Sequence, residues 1–155
     1  MIRLNKLTDY AVVVLAQLSQ DEKRTVTAPQ LAQSSGVPVP TVAKLLKALA
    51  RAGIIASRRG ATGGYALARD AHDISVADII GALEGPIALT ACVDGESGAC
   101  DVETLCPMRG NWDKVNQAIR RALKEVTLAD MAAVPLAWPR VHAPAARRAD
   151  ALPPA

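Results

Sequence analysis

The stretch G-V-P-V-P-T-V-A-K-L-L-K-A-L-A-R-A-G-I-I, residues 36–55, contains the pattern that decides the fold. Prolines stand at its start and Gly53 follows its last charged residue, so it predicts a helix from about residues 39–40 to Gly53. Four apolar residues recur at spacings of 3 and 4 and predict the buried stripe of this helix: Val42, Leu45, Leu46 and Leu49. The opposite face is polar and basic, with Thr41, Lys44, Lys47 and Arg51.

Two helices are predicted before this one. Apolar residues on one stripe predict a first helix at about residues 7–19. Thr27-Ala28-Pro29-Gln30 combines a capping threonine, a first-turn proline and a glutamine at the capping-box position. A short helix therefore follows to about Ser34, and Gly36 breaks it before the third helix begins.

A hairpin is predicted directly after the third helix. Residues 54–58 and 65–68 are typical of two short strands, with Gly60, Gly63 and Gly64 in the turn between them. A further capping box at residues 75–78 opens a helix to about Leu83. The order predicts a mainly α fold with a small β-wing, a winged helix-turn-helix over residues 1–84.

This arrangement predicts a double-stranded DNA-binding surface. The second helix of a helix-turn-helix enters the major groove, and the residues of its N-terminal half face base edges or phosphates. A wing tip without bulky side chains can approach a minor groove, whose negative potential attracts arginine. A solvated hairpin with two surface arginines is the alternative for the wing alone. The predicted DNA-binding residues are Pro40, Thr41, Ala43, Lys44, Lys47, Arg58, Arg59 and Gly60.

The charge distribution agrees with a nucleic-acid partner for the first half of the chain. Residues 1–70 carry ten Lys or Arg and four acids, net +6, whereas residues 71–133 carry five and ten, net −5. A basic half joined to an acidic half favours contact of the basic half with a polyanion. No signal peptide and no apolar stretch of membrane-spanning length is evident, which predicts a cytoplasmic protein without a membrane partner. No phosphate-binding loop or nucleophile–base pair indicates an enzyme.

Three cysteines, the only ones in the chain, lie in the segment 85–108: Cys92, Cys100 and Cys106. Their C-x7-C-x5-C spacing is not that of a zinc finger, and an odd number of thiols cannot pair fully within the chain. Three thiolates can hold a metal or a cluster that takes one further ligand from elsewhere. Three reduced thiols without a joint role are the alternative.

The segment after the cysteines predicts one long helix over residues 109–133. Its apolar residues recur like a heptad seam: Trp112, Val115, Ile119, Ala122, Val126, Ala129 and Ala133. A helix this long in a small chain favours a partner helix over packing on its own domain alone. Residues 134–155 are rich in Pro and Ala, which is typical of a disordered tail.

The chain resembles the Rrf2 family of bacterial transcription regulators. The resemblance rests on R-L-N-K-L-T-D-Y-A-V at residues 3–12, the helix stretch already quoted, the wing R-R-G-A-T-G-G-Y-A-L-A and the three-cysteine loop, over residues 1–133. It implies a homodimer on a pseudo-palindromic operator, with a [2Fe-2S] cluster in each subunit and a dimerisation helix at residues 109–133. The N-terminus is most similar to regulators of SUF iron–sulfur assembly genes, which implies a repressor of those genes. Other members sense nitric oxide or iron, and a metal-free thiol redox switch is a further alternative.

The fourth cluster ligand is where the chain departs from part of the family. Some members place a histidine three residues after the last cysteine, where this chain has Arg109. The only histidines are His72 and His142. Other members use an aspartate of the N-terminal helix, and Asp9 matches that position. The resemblance therefore implies Asp9, of the same subunit or of the other subunit of the dimer, as the ligand; an acid that simply stabilises a helix N-terminus is the alternative.

Overall fold

The structure of the protein, a computed structural model, describes residues 3–20, 24–60, 63–90, 93, 106–107 and 109–133, with the backbone alone at 109 and 110. Most of the predicted cysteine loop 85–108, at residues 91–92, 94–105 and 108, and the predicted tail 134–155 lie outside the described residues. Six helices and two strands follow in chain order, with a 3-10 turn at Ala71–Asp73: α1 Lys6–Leu18, α2 Ala28–Ser35, α3 Val39–Arg51, β1 Ile55–Arg58, β2 Gly64–Leu67, α4 Val76–Glu84, α5 Arg109–Glu125 and α6 Leu128–Ala132. The predicted winged helix-turn-helix order is confirmed.

Helix α3 is held by the stripe that its sequence predicts. Its four predicted core residues are all buried: Val42, Leu45, Leu46 and Leu49. They join one cluster with residues of α1 and α4, among them Leu15 and Ile79. Gly36 has a φ of 72°, a left-handed conformation that glycine adopts without steric strain, and it ends α2 so that α3 can start in a new direction. The helix-turn-helix is therefore anchored through its inner face, and its outer face is left to solvent.

The wing is a two-stranded antiparallel sheet with an added bridge. Strands β1 and β2 pair with Ser57 opposite Tyr65. Val26, in the connection between α1 and α2, exchanges two backbone hydrogen bonds with Tyr65, at 2.9 and 2.8 Å. Tyr65 itself is half-buried and packs against the core cluster. The wing is thus fixed to the body of the domain through Val26, while Arg58, Arg59 and Gly60 at and after the end of β1 are exposed.

The prediction of a single long helix over residues 109–133 is wrong, because the structure divides this range into two helices. Helix α5 ends at Glu125, and Thr127 caps α6 through a reciprocal capping box with Asp130. The backbone N–H of Leu128 donates to Ile74 O at 2.7 Å, and that of Val76 donates to Val126 O at 2.9 Å. Leu128 is fully buried in the core cluster. The chain breaks here because these bonds and this burial return it to the first domain.

The cap of α6 is sensitive to acid. Backbone and hydroxyl hydrogen bonds from Thr127 hold the pKa of the Asp130 carboxyl below its usual range. Because the folded-state pKa is lowered, the cap stabilises the protein above the unfolded pKa, and this stabilisation is lost as the pH falls through the folded pKa. No helix within the described ranges is both long and apolar enough to cross a membrane.

Candidate nucleic-acid interface and cysteine site

The outer face of α3 carries the residues predicted to read DNA. Pro40, Ala43, Lys44 and Lys47 are exposed, and Thr41 is half-buried. They share one helix face because Val42, Leu45 and Leu46 direct the opposite face into the core. The two lysines lie three residues apart and are therefore neighbours on the helix surface. The arrangement can present two ammonium groups to a phosphate backbone beside a small, mostly apolar first turn.

Val39 was missed as a candidate contact. Its spacing from Val42 and Leu46 extends the core stripe, so the sequence pattern assigns it to the interior. The structure leaves it 46% exposed, because it is the first residue of α3 and precedes the part of the helix that packs on the core. An exposed valine at the first turn of a groove-reading helix can contact thymine methyl groups.

The wing turn depends on two glycines, Gly60 because of its backbone conformation and Gly63 because its surroundings leave no room for a side chain. Arg58, Arg59 and Gly60 are exposed, and Gly60 has a φ of 116°. The N–H of Gly63 donates to Gly60 O at 2.9 Å and closes the turn. A Cβ at Gly63 would lie 2.7 Å from Arg58 O and 2.8 Å from Gly60 O, which are backbone atoms that cannot rotate away. The turn can therefore keep this conformation only with glycine at residue 63.

We expect Gly63→Ala to open the wing turn and to displace Arg58 and Arg59. Operator affinity should fall by about 10-fold, the scale of one lost phosphate contact at moderate salt. The measurement is a fluorescence-anisotropy titration with operator DNA. Gly81→Ala is the control: Gly81 lies in α4 with open space at its Cβ position, so alanine should leave affinity unchanged and raise the free energy of unfolding by up to about 1 kcal/mol. Unchanged affinity in Gly63→Ala would show that the wing tip makes no contact.

Helix α3 and the wing lie in a long acid-free segment. Between Glu22 and Asp70 the chain has no Asp or Glu. The same segment contains eight basic residues: Lys23, Arg24, Lys44, Lys47, Arg51, Arg58, Arg59 and Arg69. Arg69 pairs with Asp78 at 3.2 Å, whereas five of the others are exposed and far in sequence from any acid: Lys44, Lys47, Arg51, Arg58 and Arg59. These five create a positive surface potential that attracts a polyanion.

The cysteine site is described at one of its three thiols. Cys106 is half-buried and lies three residues before α5 begins, whereas Cys92 and Cys100 lie outside the described residues. Asp9 is exposed in the first turn of α1. Helix α5 begins at Arg109, and His72 is exposed within the 3-10 turn; His142 lies outside the described residues. The part of the chain that the structure describes contains no group of three His, Cys, Asp or Glu able to hold a metal, but it omits two of the predicted ligands.

The donors fit an iron–sulfur cluster by their chemistry. Thiolates are the usual ligands of such clusters, and substitution of some of them by another residue type is tolerated and changes the potential. Cys106 is neither deep in the core nor fully exposed, and Asp9 presents a carboxylate at the protein surface. These two side chains are therefore available as ligands, while the relative positions of the four donors stay a prediction.

The N-terminus of α1 is held by a residue that the sequence pattern did not single out. Glu84, the last residue of α4, accepts hydrogen bonds from the backbone N–H of Asn5 at 2.9 Å and from the hydroxyl of the buried Thr8. Asn5 also caps α1 by accepting from the N–H of Leu7. The carboxylate lies where the helix macrodipole favours negative charge. Glu84 thereby joins the end of α4 to the helix turn that carries Asp9.

A buried amide fixes the start of the cysteine loop, the segment 85–108. Asn116 of α5 is 4% exposed. Its side-chain N–H donates to Ile87 O at 3.0 Å, and its Oδ1 accepts from the N–H of Leu89 at 3.2 Å. The sequence gives little sign of this role, because an asparagine in a polar helix is ordinarily a surface residue.

The exposed side of α5 carries large apolar residues. Trp112 and Val115 are 42% and 44% exposed, and Val126, just after the helix, is 39% exposed. Ile119 is half-buried and Ala122 is exposed. Part of the predicted seam therefore lies on the surface of the single chain. The seam does not follow one helix, because α5 ends at Glu125 and the last seam residues lie beyond it.

A family profile, a related protein and two solved structures each match most of this chain. The profile of the Rrf2 family, described as an iron-dependent transcriptional regulator, matches residues 4–134. The protein rrf2 of Nitratidesulfovibrio vulgaris is 34% identical over 131 residues, which cover 84% of this chain and 87% of that protein. Two solved structures share the fold. CymR (YrzC), the global cysteine regulator of B. subtilis, matches with a TM-score of 0.66 at 27% identity, covering 85% of this chain and 97% of that one. IscR of T. potens matches with a TM-score of 0.63 at 31% identity, covering 84% and 85%.

Proposed function

Since the chain belongs to the Rrf2 family of DNA-binding transcriptional regulators, which are not enzymes, we propose that it is a homodimeric repressor controlled by a [2Fe-2S] cluster. Its targets in this proposal are the SUF genes of iron–sulfur cluster assembly, and it acts in the cytoplasm, where thiols stay reduced. The exposed basic face of α3 is the observation that carries the DNA-binding part. The three cysteines, and the similarity to IscR of T. potens, support the cluster.

DNA recognition divides between α3 and the wing. Thr41 and the small apolar groups of Pro40 and Ala43 contact base edges and thymine methyls in the major groove. Lys44 and Lys47 contact phosphates, which raises affinity and makes it depend on salt. Arg58 and Arg59 extend from the wing toward the minor groove, where Gly60 permits a close approach.

The dimer forms through α5. Trp112 and Val115 expose more than two fifths of their surface in the single chain, and burying them against the same helix of a second subunit removes this apolar area from water. Two recognition helices then face a pseudo-palindromic operator at a fixed separation. Any change in the tilt of α5 changes that separation and hence operator affinity.

Cys92, Cys100, Cys106 and Asp9 are the proposed cluster ligands. When bound, the cluster supplies a redox- and nitric-oxide-sensitive centre whose stability depends on its ligands. The protein's part is to supply three thiolates from the segment 85–108 and one carboxylate from α1. A single oxygen ligand makes loss of the centre easier than four thiolates would, which suits a sensor. Whether cluster supply, iron or nitric oxide is the physiological signal does not alter these ligand roles.

We expect Asp9→Ala to weaken the cluster without removing it. Anaerobically purified Asp9→Ala should bind iron and sulfide at first, with a changed visible spectrum, and lose them in air faster than the wild type. The measurement combines iron and sulfide counts with the decay of visible absorption. Asp73→Ala, which removes an exposed carboxylate from the 3-10 turn, is the control and should behave as the wild type. An unchanged spectrum and unchanged stability in Asp9→Ala would exclude Asp9 as the ligand.

The same anaerobic purification distinguishes regulation by a cluster from regulation by thiol oxidation. A coloured, iron-containing wild-type protein supports the cluster. A colourless, iron-free protein whose operator affinity changes with peroxide and recovers with a thiol reductant would instead establish regulation by cysteine oxidation.

A further inference from the structure

Asn116 holds the start of the cysteine loop through two hydrogen bonds to its backbone, and we call this pair of bonds the clamp. The amide uses its N–H on Ile87 O and its oxygen on the Leu89 N–H, two backbone groups 29 and 27 residues away in sequence. Both groups lie on the same short segment, outside any helix or strand. One side chain therefore replaces the pairing that a neighbouring strand would give this segment.

Burial makes the clamp rigid. Asn116 is 4% exposed, whereas most of the residues around it on α5 are exposed. A buried amide that loses its partner keeps the cost of desolvation, so the contact is maintained unless the whole segment moves. Segment and helix are thus expected to shift together.

The clamp joins the segment that leads to the cysteines to the helix that carries the proposed dimer surface. Leu89 is three residues before Cys92. Asn116 adjoins Val115 and lies one helical turn after Trp112, the exposed apolar residues of α5. On the other side, the segment continues from Glu84, which binds the N-terminus of α1 beside Asp9. The start of the cysteine loop is therefore tied to both α1 and α5.

We propose that Asn116 is a positioning residue that transmits the state of the cysteine loop to α5. The inference rests on the proposed function, because it assumes that cluster occupancy changes operator affinity. When the cluster is bound, the segment at Ile87–Leu89 is fixed, and the clamp holds α5 in the orientation that suits the operator. When the cluster is lost, the same clamp carries a displacement of this segment into α5 and alters the spacing of the recognition helices.

The test compares Asn116→Ala and Asn116→Asp with the wild type. Aspartate has nearly the same shape and can still accept from Leu89 N–H, but it has no N–H for Ile87 O. Gln117→Ala, a substitution at the exposed neighbouring residue, is the control. Operator affinity is measured for the anaerobic cluster-loaded form and for the apo form of each protein. Iron and sulfide counts and the dimer mass are measured on the same samples.

The expected result is a loss of coupling with the cluster retained. For the wild type and Gln117→Ala, loaded and apo forms should differ in operator affinity by about 5- to 150-fold, the usual range of an allosteric coupling. Both Asn116 variants should bind as much iron as the wild type. The difference in operator affinity between their loaded and apo forms should fall to about 2-fold or less. Variants that carry a full cluster and retain the wild-type difference would overturn the inference. A wild type without any difference would instead refute the proposed function.

A measurement on the wild type keeps the inference testable if the variants do not fold. Backbone hydrogen exchange at Leu89 should be slow in both the loaded and the apo form, because the clamp persists and moves with the segment. Fast exchange at Leu89 in both forms would show that no rigid link exists and would overturn the inference.

Discussion

Replacing Lys44 and Lys47 together by alanine is expected to lower operator affinity by about 60-fold per subunit at about 0.1 M salt. Each phosphate contact contributes about 0.9 to the slope of log K against log salt, so two contacts account for about 1.8 decades at this concentration. Both lysines are exposed on the outer face of α3, away from the buried stripe. Folding should be unaffected, and the salt slope should fall by about 1.8 for each subunit bound. The measurement is a set of anisotropy titrations at several salt concentrations.

A matched pair of lysines controls for the change in net charge. Lys114→Ala with Lys124→Ala removes two exposed cations from α5, so the net charge of the variant is the same. If α3 is the reading helix, this pair should change affinity and salt slope by much less, at an unchanged dimer mass. Equal losses in both double variants would mean that only overall charge matters, and α3 would not be the DNA-reading element.

Cys106→Ser is expected to abolish cluster binding and, with it, regulation. Serine keeps the size of the side chain but exchanges a thiolate for a hydroxyl, which is a poor ligand for iron at neutral pH. The wild type should carry about two irons and two sulfides per chain and absorb visible light. The variant should carry almost none and should bind the operator with the affinity of wild-type apo protein under all conditions. Because Cys106 is only half-buried, the loss of packing should be small.

A substitution in the same loop isolates the effect of the thiol. Ser97→Ala changes a residue between Cys92 and Cys100 without removing a sulfur, so its iron content and regulation should equal those of the wild type. A Cys106→Ser protein that still binds full iron and sulfide would remove Cys106 from the ligand set. A wild type without iron whose redox response is lost in Cys106→Ser would support the thiol switch instead.

The helix-turn-helix and the wing could be predicted because the sequence patterns that specify them are local. The stripe at Val42, Leu45 and Leu46 specifies which face of α3 is buried, and the exposed lysines follow from it. The wing follows from glycines whose conformation no other residue adopts without strain, as at Gly60. Val39 was missed because periodicity describes a continuous helix, whereas burial stops at the end of the packed surface.

The elements around the cysteine loop could not be predicted, because long-range contacts position them. The break between α5 and α6 has a local signal in the capping box of Thr127 and Asp130, but a heptad-like pattern of apolar residues crosses the same position. What decides the break is the burial of Leu128 and its bond to Ile74. Periodicity likewise cannot show that Asn116 is buried, or that Asn116 and Glu84 form hydrogen bonds with residues 27 to 79 positions away.

The most direct measurement is the operator affinity of one wild-type preparation before and after removal of its cluster. Operator duplexes are first selected from a random-sequence library with the anaerobic protein. Anisotropy titrations then compare the loaded form, the apo form and the reconstituted form at several salt concentrations. We predict affinities for the loaded and apo forms that differ by at least about 5-fold, with the original value restored on reconstitution. Equal affinity of the loaded and apo forms at every salt concentration would contradict cluster-controlled DNA binding.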